Sequence, residues 1–303
     1  MIITRLRGGL GNQLFQYACG RALSLRNKDI LKLDIEGYAR ALAGGTDTPR
    51  EYSLSHFSIQ ENIASVEEIY ALKYPFGIIS KGFRFMNIKI FRKFNVGFDA
   101  RLIENLSKKK SVYLDGFWQT EKYFEDCIDI IRRDITLKSP MGAPAAEIGA
   151  CITKNRSQNI KNISLHVRRG DVRIGGIGNA YFGICTPDYY KKAFDYIANE
   201  AKSMKISATQ FHVFIFSDEP KWVEENIQIP YSFTTVSGRG IPDYEELVLM
   251  SVCDINIIAN STFSWWGAWL NTNKDKLVIS PSEWITRTKK QHIDTIHPSW
   301  IRL

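Results

Sequence analysis

The sequence predicts an α/β protein made of two units, each a doubly wound parallel sheet, facing one another across a cleft. Three observations predict it. Short apolar strands alternate with amphipathic helices along the chain. A glycine-rich turn follows the first strand directly. A polar composition shift divides the chain near its middle, and 303 residues suit two domains of ordinary size.

The elements follow in order. Residues 2–6 read as a first strand, R-G-G-L-G-N-Q as a turn, and 12–26 as a helix with Leu14, Tyr17, Ala18, Ala22 and Leu25 at helical spacing. Residues 30–36 alternate as a second strand. The turn is not a dinucleotide fingerprint, because G-x-G-x-x-G beginning at Gly9 would need glycine where Leu14 stands. Gly8, Gly9 and Gly11 read either as a tight turn needing positive φ or as a close approach of backbone to ligand. Asn12 and Gln13 would then be amide hydrogen-bonders at the helix start.

Residues 37–62 read as loop. Between 69 and 98 six basic residues (Lys73, Lys81, Arg84, Lys89, Arg92, Lys93) interleave with aromatics and no acid occurs. This is either a basic amphipathic surface for anionic lipid headgroups or a solvated face over a local apolar cluster. V-Y-L-D-G-F-W-Q-T reads as a strand leading into a helix through 134, with Thr120 as N-cap. The polar segments 139–144 and 154–162 flank a short helix and set the domains at 1–150 and 151–303.

In the second half, Ile163, Leu165 and Val167 alternate with Ser164, His166 and Arg168 in a strand that ends on R-R-G-D. Thr186 and Pro187 make a strong helix start. Further strands are H-V-F-I-F-S-D-E, F-T-T-V-S, D-I-N-I-I-A and K-L-V-I-S-P. Helices P-K-W-V-E-E-N, Y-E-E-L-V-L-M-S-V and N-S-T-F-S-W-W-G-A-W-L-N alternate with them.

Four features fall at strand ends or helix starts, where ligands bind in open α/β sheets: residues 8–13, 166–171, 216–219 and 259–267. Two guanidiniums at a strand end suit phosphate oxygens. Ser261 and Thr262 open a helix whose N-terminus carries roughly +0.5 elementary charge, a ready anion site. Adjacent strand residues face opposite ways. Arg168, on the face of His166, is therefore the expected ligand contact, and Arg169 the brace, against Asp171. His166 is a candidate general base by its intrinsic pKa of about 6.5; Asp34, Glu36 and Asp115 are carboxylates near strand ends. No metal site is expected, since D-I-E at Asp34 to Glu36 reads as strand alternation.

The net charge of +8 admits nucleotides, nucleic acid or anionic lipid. No nucleic-acid module is recognisable, and nucleic acid is not an expected partner. The five scattered cysteines form no C-x-x-C pair and suggest a reducing compartment. With no apolar leader or anchor segment, cytoplasm is the expected location, with or without peripheral membrane contact.

G-G-L-G-N-Q-L-F-Q-Y-A, G-F-W-Q-T-E-K-Y-F, H-V-R-R-G-D, F-I-F-S-D-E-P-K-W-V and I-I-A-N-S-T-F-S-W-W-G-A-W-L, in that order, resemble the bacterial α-1,2-fucosyltransferases of glycosyltransferase family 11. The resemblance implies a GT-B-type pair of Rossmann-like domains, with the acceptor on the N-terminal side and the donor on the C-terminal side. It implies GDP-β-L-fucose as donor, inversion to an α-fucoside, and no metal or other cofactor. The acceptor would be a terminal galactose in a lipopolysaccharide or capsule unit, lipid-linked or free. Arg168 would grip the donor diphosphate. Asn12, with Gly9, Gly11 and Gln13, would lie by the reacting centre. Asn260, Ser261, Thr262 and Phe263 match the second phosphate-side segment, and Asp218 a strand-end acid. Val172 stands where the family often has tyrosine.

Overall fold

The computed structural model describes residues 1–41, 50–73, 92–93, 98–108, 111–170, 185–284 and 294–303. Its contacts divide the chain into Met1–Lys138 and Ser139–Leu303.

In the first unit β1 (Ile2–Arg5) feeds α1 (Leu10–Asn27) and β2 (Leu31–Asp34). The helix starts two residues before the expected position because Gly9, extended at φ −73° and ψ 174°, takes the N-cap place. It stops where Lys28 turns left-handed at φ 51° and its amide donates to the carbonyls of Leu25 and Ser24, satisfying last-turn acceptors. Then come α2 (Glu36–Ala41), inside the stretch expected to be loop, α3 (Val66–Lys73), β3 (Arg92–Lys93), α4 (Ala100–Ser107) and β4 (Val112–Gly116). The single helix expected through 134 is two 3-10 turns followed by α5 (Ile128–Asp134). Phe124 at φ −140° and Cys127 at φ −138° break the helical path while Tyr123 and Phe124 turn fully into the core. The sheet is parallel, in the order β2-β1-β4-β3.

The second unit starts twelve residues before the expected division at 150, which falls inside α6 (Ala143–Ser157). Burial decides this. Ala145, Ile148 and Ile152 pack with Phe214, Phe216, Leu249 and Met250 in one core cluster, which makes the helix part of this unit. The chain continues through β5 (Lys161–Val167), α7 (Pro187–Ser203), β6 (Phe211–Ser217), α8 (Pro220–Asn226), β7 (Ser232–Thr235), α9 (Asp243–Ser251), β8 (Ile255–Ile257), α10 (Thr262–Leu270), β9 (Leu277–Ser280) and β10 (Ile301–Arg302). Thr186 holds the N-cap position of α7, though its side chain makes no capping bond. The strand order is β10-β9-β8-β5-β6-β7, parallel throughout.

Period-two alternation places Val213 and Ile215 in one core cluster and Phe214 and Phe216 in another, so both sheet faces are covered. The polar positions of β5 are buried as well. Asn162 accepts from Asn155 Nδ2 at 2.8 Å and donates to Asp254 at 3.1 Å, and Ser164 accepts from Asn256 Nδ2 at 2.7 Å. Hydrogen bonds offset the cost of burying these groups.

Each sheet reverses its strand order once. In the first unit the reversal lies between β1 and β4, in the second between β5 and β8. Ligands of open α/β sheets bind at the carboxyl ends beside such reversals. Among the described residues no helix is long and apolar enough to cross a membrane. The basic aromatic stretch lies mostly outside the described residues, as does the expected brace Asp171.

Candidate active site

At the second reversal, β5 delivers Arg168 and Arg169 and β8 delivers residues 259–263. Asp218, just past the end of β6, holds the arginine turn in shape. Its Oδ1 accepts from the Arg169 amide and its Oδ2 from the Gly170 amide, both at 2.9 Å. A side chain at position 170 would place its Cβ 3.0 Å from Asp218 Oδ2, a tight contact that would push on the carboxylate holding the turn. Both carboxylate oxygens of Asp218 are thus engaged by backbone amides of the turn. The Arg169 guanidinium lies over Trp222 at 3.4 Å from the ring centroid and ion-pairs with Glu219 at 3.6 Å. Those two residues brace it.

Arg168 sits half-buried on the face of His166. The imidazole is 6% exposed, 5.6 Å from the Phe263 ring, and its Nδ1 has no hydrogen-bond partner among the described residues. Burial, and then the charge of Arg168, push its pKa down to about 3. A base so weak is poorly matched to taking a proton at neutral pH. That argues against His166 as the base and leaves the proton acceptor unassigned.

Opposite, Ser261 caps α10 through its Oγ, which accepts from the Phe263 amide at 3.3 Å. Thr262 occupies the first helical position, whose amide has no intrahelical acceptor. Asn260 Oδ1 accepts from Cys185 Sγ at 3.5 Å. The expected residues Arg168, Asn260, Ser261, Thr262 and Phe263 thus flank one reversal, joining a cation to a positive helix end. A residue outside the expectations stands beyond the end of β7: Glu246, in the first turns of α9 beside Ser237. Burial pushes its carboxyl up to about 7, with Ser237 opposing and Asp243 adding to the shift. Its sequence signal is an acid opening a helix at the carboxyl edge.

At the first reversal the positive φ falls on Gly8 (79°), and a side chain there would meet Asn12 Nδ2 at 2.8 Å. Gly9 has open space around it, which moves the conformational demand from Gly9 to Gly8; Gly11 lies buried in α1. Gln13 is fully buried. It donates to the carbonyls of Gly8 (3.1 Å) and Glu51 (2.8 Å) and accepts from the Ser53 amide (3.0 Å). Its side chain ties the turn to the segment 51–53. Asn12 accepts from Gln119 Nε2 at 2.8 Å. Arg5 and Arg7 both ion-pair with Asp115, at 3.2 and 3.8 Å, and Arg7 also lies over Phe117. Asp34 is tied to the Tyr113 hydroxyl and the Glu36 amide.

A cation and a helix N-terminus meeting at a strand-order reversal mark a protein that handles an anionic ligand, in the manner of nucleotide-dependent transferases. Comparison makes that specific. The sequence profile of Glycosyl transferase family 11 matches residues 76–303. An α-1,2-colitosyltransferase of Escherichia coli is 30% identical over all of this chain and 99% of its own length. The O-antigen biosynthesis glycosyltransferase WbnK of Escherichia coli is also 30% identical, over 98% of this chain and 99% of that protein. A galactoside 2-α-L-fucosyltransferase of Caenorhabditis elegans is 25% identical over 65% of this chain and 54% of its own. The chain belongs to glycosyl transferase family 11 and is a glycosyltransferase.

Proposed function

We propose that the protein transfers L-fucose from GDP-β-L-fucose, with inversion and without a metal, to the 2-hydroxyl of a galactose in a surface glycan. The observation that carries the donor half is the second reversal, where Arg168 follows β5 and the Thr262 end of α10 follows β8. In the reaction the acceptor oxygen bonds to the anomeric carbon as the bond from that carbon to the β-phosphate oxygen breaks. The electron pair stays on GDP, and the acceptor hydroxyl loses its proton. A preorganised cation and helix end stabilise the charge that develops on the leaving diphosphate. Asn12 stands by the reacting centre as a hydrogen-bonding group.

The fucosyl reading is supported by the five motifs and by the fucosyltransferase relative. A second reading, transfer of colitose, is favoured by the higher identity to the colitosyltransferase. Surface-glycan assembly is supported by the O-antigen relative and fits a cytoplasmic enzyme working beside the inner membrane on a lipid-linked acceptor.

Incubation with GDP-fucose, GDP-colitose and GDP-mannose and a panel of galactosides, with and without EDTA, tests these points. The expected product is an α-1,2-fucosylgalactoside in equal yield with chelator. Colitosyl product alone selects the second reading. Loss of turnover with EDTA overturns the metal-free mechanism.

A further inference from the structure

We propose that Gln119 is a positioning residue that fixes the Asn12 side-chain amide with its NH2 group outward, as a donor to a substrate oxygen at the reacting centre. This rests on the place of Asn12 in the reading above. The two residues are 107 positions apart and span the strand-order reversal of the first unit, Asn12 following β1 and Gln119 following β4.

The two orientations of an asparagine amide are nearly isosteric, so only a hydrogen bond selects between them. The bond from Gln119 Nε2 to Asn12 Oδ1 turns the carbonyl inward. Asn12 Nδ2, folded back over Gly8, then makes no hydrogen bond with any described residue.

Two further observations separate Gln119 from an ordinary framework amide. Gln13 has both ends of its side chain bonded, whereas Gln119, 4% exposed, leaves Oε1 buried without a hydrogen-bond partner among the described residues. Such orphaned groups are uncommon in cores and call for a reason. The backbone presenting Gln119 is also strained. Trp118, 2% exposed and edge-on to Tyr123 at 5.3 Å, is left-handed at φ 53°, and the Thr120 amide donates to the Trp118 carbonyl at 2.8 Å, closing the turn around Gln119. A bulky residue held at positive φ is an outlier that packing must sustain.

Gln119→Glu in the full chain tests the orientation, assayed with whichever nucleotide sugar the wild type transfers. The carboxylate so introduced can only accept, so it draws the Asn12 NH2 inward and turns the carbonyl to the substrate; once protonated it donates again. We expect kcat at pH 8 to fall at least tenfold with donor KM within twofold, and to recover as pH falls through the ionisation of that carboxyl. Wild type should show no such recovery. Gln119→Met, similar in shape but without the donor, should lower kcat severalfold at unchanged KM and melting temperature, and it decides the matter if Gln119→Glu does not fold. Wild-type kcat in either folded variant, or a Gln119→Glu loss equal at every pH, overturns the proposal. If Asn12→Ala is inactive while Gln119→Glu matches wild type, only the positioning role fails. Full activity of Asn12→Ala overturns the underlying reading of Asn12, and the positioning role with it.

Discussion

At the end of β1 two arginines, Arg5 and Arg7, converge on one nearly buried carboxylate, Asp115. At the end of β5 two more, Arg168 and Arg169, stand beside two carboxylates, and there the arrangement differs. Asp218 spends both oxygens on backbone amides, and Glu219 with Trp222 holds Arg169. The acids of the second edge shape the turn that carries Arg168, while the acid of the first edge draws both guanidiniums to itself. Counting arginines at a strand end therefore does not locate an anion site; what the neighbouring carboxylates bind does. By this measure the second edge suits an anion better than the first.

Four substitutions can break or sharpen that contrast. Arg168→Ala should lower kcat/KM by about 10²–10³-fold, the usual cost of removing a preorganised charge-stabilising donor; near-normal turnover would sink the assignment. Asp218→Ala frees two amides and loosens the turn, with an expected loss of roughly tenfold in kcat/KM and a raised donor KM. A change in melting temperature with unchanged kinetics would make Asp218 purely structural. Asp115→Asn leaves Arg5 and Arg7 facing a neutral amide. It should destabilise the fold by about 2 kcal/mol, less than a fully buried pair because the arginines reach solvent, with GDP affinity unchanged in calorimetry.

The smallest effect is Glu246→Gln. The folded carboxyl titrates near 7, above its ordinary 4.5, so the folded state holds a proton that the unfolded state has released between those values. Wild-type stability should therefore fall as pH rises from 4.5 to 7 and level off above. The variant should lack that fall and be more stable at pH 8 by about 1 kcal/mol, after discounting for partial exposure. Thermal melts across pH give the answer; parallel curves would remove Glu246 from the account.

Much of this is legible in the sequence, for definable reasons. The strand–turn–helix–strand opening, the strand that ends on R-R-G-D and the capped start of α10 each carry a local period or cap, and each stands near its expected position. Tertiary pairings carry no such period. Sequence proximity makes Asp171 the expected brace for Arg169, yet the described partners of Arg169 come from the turn after β6 and the helix that follows. The demand for glycine falls on Gly8, because adjacent glycines in a turn look alike until φ is known. The bonds of Gln13 to the backbone of Gly8, Glu51 and Ser53 cannot be read from a sequence either. The domain division slips by twelve residues because a polar linker and the first helix beyond it are similar in composition. Gln119 is in view within G-F-W-Q-T, but its partner lies 107 residues earlier.

That separation has a kinetic consequence. Asn12 and Gln119 meet, and the strands before Arg168 and Thr262 lie side by side, only when segments distant in sequence have paired; parallel pairing of this kind carries high contact order and slow closure. Local helices such as α1 can form far sooner. On refolding, helical signal should return first and catalytic competence last. A nascent or partly unfolded chain would then hold nucleotide sugar poorly and discharge little of it to water.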